Sequence, residues 1–203
     1  MQYISTRGSG ERVSAAQAIK QGLASDGGLF MPETLPVFTA QDLDEWRKMT
    51  YVERAVHVIG RFLTDYTEEE LREDCEAAYA QARFPGVSSA APVVRIGEKA
   101  AVLELFHGPT CAFKDMALQL MPRLLTRALK KTGETKQALI LVATSGDTGK
   151  AALEGYRDVP GVKIMVFYPA EGVSRIQKLQ MATQEGGNVA VQAVRGNFDD
   201  AQT

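Results

Sequence analysis

Two short stretches carry residue types suited to chemistry. In "HGPTCAFKD", Lys114 stands between Phe113 and Asp115, just past a Gly-Pro turn where an apolar run gives way to a helix start. An amine in such a place is either an ordinary exposed charge or a nucleophile held in position. In "ATSGDTGK", Thr144, Ser145 and Thr148 offer hydroxyl donors, while Gly146 and Gly149 allow close approach to the backbone. A helix opening there would turn free N–H groups and a positive dipole end toward an anion. On type and spacing alone both readings of Lys114 stand. The hydroxyl loop is equally a helix cap that serves only its own backbone.

Other chemistries fit less well. Gly149-Lys150 suggests a nucleotide phosphate loop, but that motif needs glycine where Thr144 stands and a hydroxyl where Ala151 stands. Asp147 would also put a negative charge in the phosphate cradle. The dinucleotide fingerprint G-x-G-x-x-G is absent. The two histidines, His57 and His107, are far apart and have no cysteine at ligand spacing, so no metal site is expected. His57 reads as a helix-packing residue, and Cys111 as a small loop filler lacking a companion base.

Composition sets the bounds. The chain has 203 residues, 45% of them hydrophobic and 24% charged, and can bury a real core. A net charge of −2 argues against nucleic-acid or anionic-membrane partners. No apolar run reaches the length of a bilayer span, and the N-terminus lacks the apolar segment of a signal peptide. Cys75 and Cys111 form no pairing motif, which fits a reducing compartment, the cytoplasm.

The elements that must position these residues fall into two regimes. Residues 1–85 read as a mainly helical domain. Ser14 with Gln17 and Thr67 with Glu70 look like capping boxes, and Thr39 caps a further helix. Residues 86–203 read as an α/β domain. "VVRI" and "AVLELF" form a hairpin whose second strand ends at Phe106. A helix spans about 115–131, kinked at Pro122. Strands at 138–143, 163–168 and 189–194 alternate with helices, one of them capped by Ser174 with Gln177. "ALILVA" reads as a strand covered on both faces. This order predicts a three-layer α/β/α fold around a parallel sheet, with both chemical loops at strand C-terminal ends, where such sheets bind ligands.

"HGPTCAFKD" followed by "ATSGDTGKAALEGY", with "STRG" and "GLASDGGLFMPE" before them and "FYPAEGVSRIQKLQMATQEGGNVAVQAVRGNFDDAQ" after, resembles threonine synthase. That family is pyridoxal-phosphate-dependent, of fold type II, with the tryptophan synthase β-like fold. The resemblance implies conversion of O-phospho-L-homoserine and water to L-threonine and phosphate. It implies that Lys114 is the catalytic, Schiff-base lysine, with Phe113, Asp115 and Asp147 beside the pyridoxal 5'-phosphate cofactor. Thr144, Ser145, Gly146, Thr148 and Gly149 would then receive the substrate. An imine forms only from the unprotonated amine, so burial and a helix N-terminus at Lys114 are expected to disfavour the ammonium form.

Members of the family are about twice this length or more, so the resemblance is to an N-terminal portion. The expectation is a truncated chain that lacks the phosphate-holding loop and the pyridine-nitrogen partner, retains cofactor weakly or not at all, and is inactive by itself. Exposed strand edges would favour self-association. Two alternatives stay open. One is another fold type II lyase, such as a threonine/serine dehydratase or a cysteine synthase, which the aspartate of "SGDTG" argues against. The other is a non-catalytic anion- or partner-binding α/β domain.

Overall fold

A computed structural model describes residues 1–202. By their contacts these residues divide into two units, Met1–Ala80 with Arg123–Thr135, and Gln81–Pro122 with Lys136 onward.

In the first unit, strands β1 (Tyr3–Ser5), β2 (Arg12–Val13) and β3 (Phe30–Pro32) form an antiparallel sheet of order β2-β1-β3. Pieces this short show no alternation, so nothing in the sequence marks them as strands. A polar knot ties them. The Ser5 hydroxyl donates to Asp26 Oδ1 at 2.7 Å, and Asp26 in turn accepts the N–H groups of Gly28 and Ser9. Helices α1 (Ala15–Gln21), α2 (Ala40–Trp46), α3 (Tyr51–Phe62) and α4 (Glu68–Ala78) follow. Thr39, Thr50 and Thr67 each close a reciprocal capping box. Ser14 caps α1 from one side only, because the Gln17 side chain turns to Gln21. Arg127 anchors this unit by donating to Asp74 and Glu73, each at 2.6 Å. His57 lies exposed on α3 rather than packed.

In the second unit, β4 (Val93–Ile96) and β5 (Ala100–Leu103) form the expected antiparallel hairpin. It stops three residues short of Phe106 and pairs with no other strand among the described residues. The "HGPT" turn therefore does not leave a strand of the parallel sheet, contrary to expectation. That sheet consists of β6 (Ala138–Ala143), β7 (Val162–Pro169) and β8 (Val189–Val194), in register and in sequence order. Helix α7 (Asp147–Tyr156) packs on β7 and buries Ala151, Ala152, Leu153 and Tyr156 opposite Val162, Ile164 and Val166. Leu153, Val162, Ile164 and Val166, so buried, contribute about 1.5–3 kcal/mol each. Helices α8 (Arg175–Ala182) and α9 (Phe198–Gln202) complete the unit. The reading of β6 as covered on both faces is corrected: Leu139 and Leu141 are 59% and 62% exposed. No helix among the described residues is long and apolar enough to cross a membrane.

The expected helix 115–131 is two helices, α5 (Asp115–Leu118) and α6 (Met121–Lys131). Pro122 has no N–H for the Leu118 carbonyl, so the chain breaks instead of kinking. That carbonyl faces Gly155 of α7, where a Cβ would lie 2.0 Å away. Packing of α5 on α7 thus requires glycine at 155. Gly155→Ala should cost about 1–3 kcal/mol by overpacking a backbone oxygen that has nowhere to move. Urea unfolding checks this, and a wild-type midpoint would mean that the contact carries no load.

Candidate functional site

Lys114 stands immediately before α5, half-buried, with its Nζ 4.8 Å from the centroid of the Phe113 ring. It makes no ion pair and no side-chain hydrogen bond among the described residues. Its amine is not claimed by a carboxylate, which suits an amine meant to react. The dipole support expected there is weaker than the sequence implied, because α5 is a single turn. Phe113 is 58% exposed and offers an apolar face beside the amine.

Asp115 is engaged where Lys114 is not. It has no exposed surface, and its two carboxylate oxygens accept from the Thr110 N–H and Oγ1–H, each at 2.8 Å. Its carboxylate is therefore spent on the protein itself. Thr110 was not singled out from the sequence. The signal was present as a hydroxyl five residues before a helix-opening aspartate, but that spacing is not specific.

The hydroxyl loop follows β6 and opens α7. Thr144 is buried, and its Oγ1 accepts from the N–H groups of Gly146 and Gly149, each at 3.0 Å. It caps the helix from three residues ahead and has no side-chain capacity left for a substrate. Ser145 is exposed and Thr148 half-buried, and neither hydroxyl is engaged among the described residues. Asp147 Oδ1 accepts from Gln177 Nε2 at 2.8 Å. Gln177, read only as half of a capping box, instead uses its amide to join the Ser174 hydroxyl to the loop.

The two stretches share one unit and are tied by the packing of α5 on α7. No hydrogen bond joins Lys114 to residues 144–149 among those described. A cavity of about 700 Å³ opens beside the "HGPTC" turn, lined by Arg83, Phe106, His107, Cys111, Glu154 and Arg157. It reaches the far end of α7, not the hydroxyl loop. The His107 ring meets Glu104 Oε2 at 2.7 Å. No cluster fit for a metal ion occurs among the described residues.

Two outcomes follow from this geometry. Thr144→Val strands two buried N–H groups and should cost about 1–3 kcal/mol, whereas Ser145→Ala should stay within about 0.5 kcal/mol. Equal losses in urea unfolding would contradict the division of labour. Burial also pushes the Asp115 carboxyl above its ordinary value, with Thr110 opposing. The folded chain then holds that proton more tightly than the unfolded chain. This stability is present below the ordinary aspartate range and lost as pH rises through the raised value. Asp115→Asn should gain on wild type as pH rises from about 3 to about 7. A gap that moves the other way in urea midpoints would reverse the assignment.

Comparison with known proteins covers the whole chain. The family model described as "Threonine synthase N terminus" matches residues 2–79. Threonine synthase of Pseudomonas aeruginosa is 43% identical over 203 residues, which is 100% of this chain and 42% of that protein. That of Escherichia coli is 38% identical, over 100% of this chain and 44% of its own length. Among solved structures, PLP-bound threonine synthase from Brucella melitensis superposes with a TM-score of 0.89 at 38% identity, covering 100% of this chain and 43% of that one. Yeast threonine synthase gives 0.89 at 37%, covering 99% and 42%. The chain spans less than half the length of these relatives.

Proposed function

Because the chain belongs to the threonine synthase family as its N-terminal portion, we propose that it supplies the amine and the substrate loop of a pyridoxal-phosphate-dependent lyase. The overall change would be O-phospho-L-homoserine plus water to L-threonine plus phosphate, carried out in the cytoplasm. The observation that carries this reading is Lys114, a half-buried amine free of any ion pair among the described residues, beside an exposed aromatic face.

Pyridoxal phosphate, when bound, supplies an aldehyde for that amine and a ring able to store electrons from the substrate. Lys114 would hold the group through its Nζ, and the same amine, when free, would take the proton from the substrate Cα. Phe113 shields one side of the amine from water. Ser145 and Thr148, whose hydroxyls are unspent, bind the anionic end of the substrate, with the backbone of Gly146 and Gly149 lining the approach. Asp147, steadied by Gln177, faces the cofactor or the substrate amine. In the overall balance the Cγ–O bond to phosphate breaks, a proton moves in net from Cβ to Cγ, and water supplies the Cβ hydroxyl and the proton that the phosphate carries away. No residues fit to grip a cofactor phosphate stand out among the described residues, so this chain by itself is expected to form the covalent link without turnover.

The test is chemical. Incubation with pyridoxal 5'-phosphate and borohydride should leave a reduced adduct on the peptide containing Lys114, and Lys114→Ala should remove it. An adduct of equal yield in that variant, or one confined to other lysines, refutes the role. In a full-length enzyme, Ser145→Ala or Thr148→Ala should raise KM for the phosphorylated substrate about tenfold, the loss of one hydrogen bond to a charged group. Unchanged kinetics would return the loop to a purely structural cap.

A further inference from the structure

The turn ahead of Lys114 is closed on itself. Thr110 fills both oxygens of the Asp115 carboxylate, its N–H at 2.8 Å and its hydroxyl at 2.8 Å, with Asp115 fully buried and Thr110 only 7% exposed. The backbone adds Cys111 N–H to Gly108 O at 3.1 Å and Asp115 N–H to Ala112 O at 3.0 Å. Gly108 seals the ring, because a Cβ there would stand 2.6 Å from the Asp115 Cβ. Inside the ring Cys111 is held at φ +59°, a conformation that residues with side chains keep only when their surroundings impose it. Lys114 lies next to the locked aspartate, so the lock sets the backbone from which its side chain departs.

We propose that Asp115 is a positioning residue: clasped by Thr110 and sealed by Gly108, its carboxylate fixes where Lys114 presents its amine and touches neither cofactor nor substrate. This rests on Lys114 being the cofactor-holding amine. Chemistry separates it from a charge-based role. An asparagine at 115 keeps both links, its Oδ1 accepting the Thr110 N–H and its Nδ2 donating to Oγ1, whose hydroxyl hydrogen turns away. Alanine keeps neither. Valine at 110 removes the hydroxyl arm at nearly constant shape.

The whole chain is compared as wild type, Asp115→Asn, Asp115→Ala and Thr110→Val, each below its thermal unfolding midpoint. The first readout is the borohydride-reduced pyridoxal 5'-phosphate adduct on Lys114. The second, free of cofactor, is the acetylation rate of Lys114 relative to exposed Lys163. Asp115→Ala and Thr110→Val should lose about tenfold or more in adduct rate, as expected for a misplaced reacting group. Their relative acetylation rate should rise about threefold as the turn opens. Asp115→Asn should stay within about twofold on both.

Wild-type behaviour in Thr110→Val, or an asparagine variant as impaired as alanine, overturns the assignment, the latter in favour of a charge acting on the ligand. Should Asp115→Ala fail to fold, Thr110→Val decides. Should wild type form no adduct at Lys114, the cofactor reading falls, while the acetylation ratios still settle the lock.

Discussion

A carboxylate with no water to solvate it must find donors inside the protein, and much of the candidate site follows from where Asp115 finds them. Both come from one residue, Thr110, so the chain between them has to double back within a few residues. That geometry leaves no room for a side chain at Gly108 and forces Cys111 into a left-handed conformation. It also spends the aspartate's charge entirely on the turn. Lys114, one residue away and half-buried at the start of a one-turn helix, is left without a carboxylate partner among the described residues. The pairing that a Lys-Asp dipeptide suggests does not occur. Burial of one member separates the two.

The same turn depends on what lies behind it. Pro122 denies the Leu118 carbonyl its helical donor, so α5 ends after one turn, and that carbonyl presses on Gly155 of α7. Because α7 begins at the hydroxyl loop, a defect at position 155 would be felt by both chemical stretches.

Much of the fold was legible in the residues. The threonine caps of α2 and α4, the Gly97 hairpin and the β6, β7, β8 alternation all come from local rules: hydroxyls three residues ahead of carboxylates, and apolar runs separated by helix-length spacers. The misses share one physical cause, in that each is set by a partner distant in sequence. Strands of two or three residues are defined by what they pair with and not by a pattern. The exposed face of Leu139 and Leu141 is chemically identical to a buried one until the layer opposite is placed. Pro122 announces a disruption, but the contact that the freed Leu118 carbonyl makes with Gly155 is written in neither residue alone. In the site, Lys114 and the hydroxyl loop were visible as residue types, whereas Thr110 and Gln177 were not, since their roles exist only through bonds to Asp115 and Asp147.

The hydroxyl loop shows how burial assigns different work to like residues. Thr144, Ser145 and Thr148 carry the same functional group within five positions, and sequence alone treats them as equivalent. Thr144 is the one shut away from water, and two otherwise stranded N–H groups make it the obligatory acceptor. Its neighbours stay uncommitted while it is committed: Thr144 takes the Gly146 and Gly149 N–H groups, and the Ser145 and Thr148 hydroxyls are engaged by no backbone group among the described residues. A loop of this kind needs one hydroxyl to hold its shape before any other is free to meet a ligand. Lys114 obeys the same logic across the unit, its freedom resting on Asp115 having been spent elsewhere.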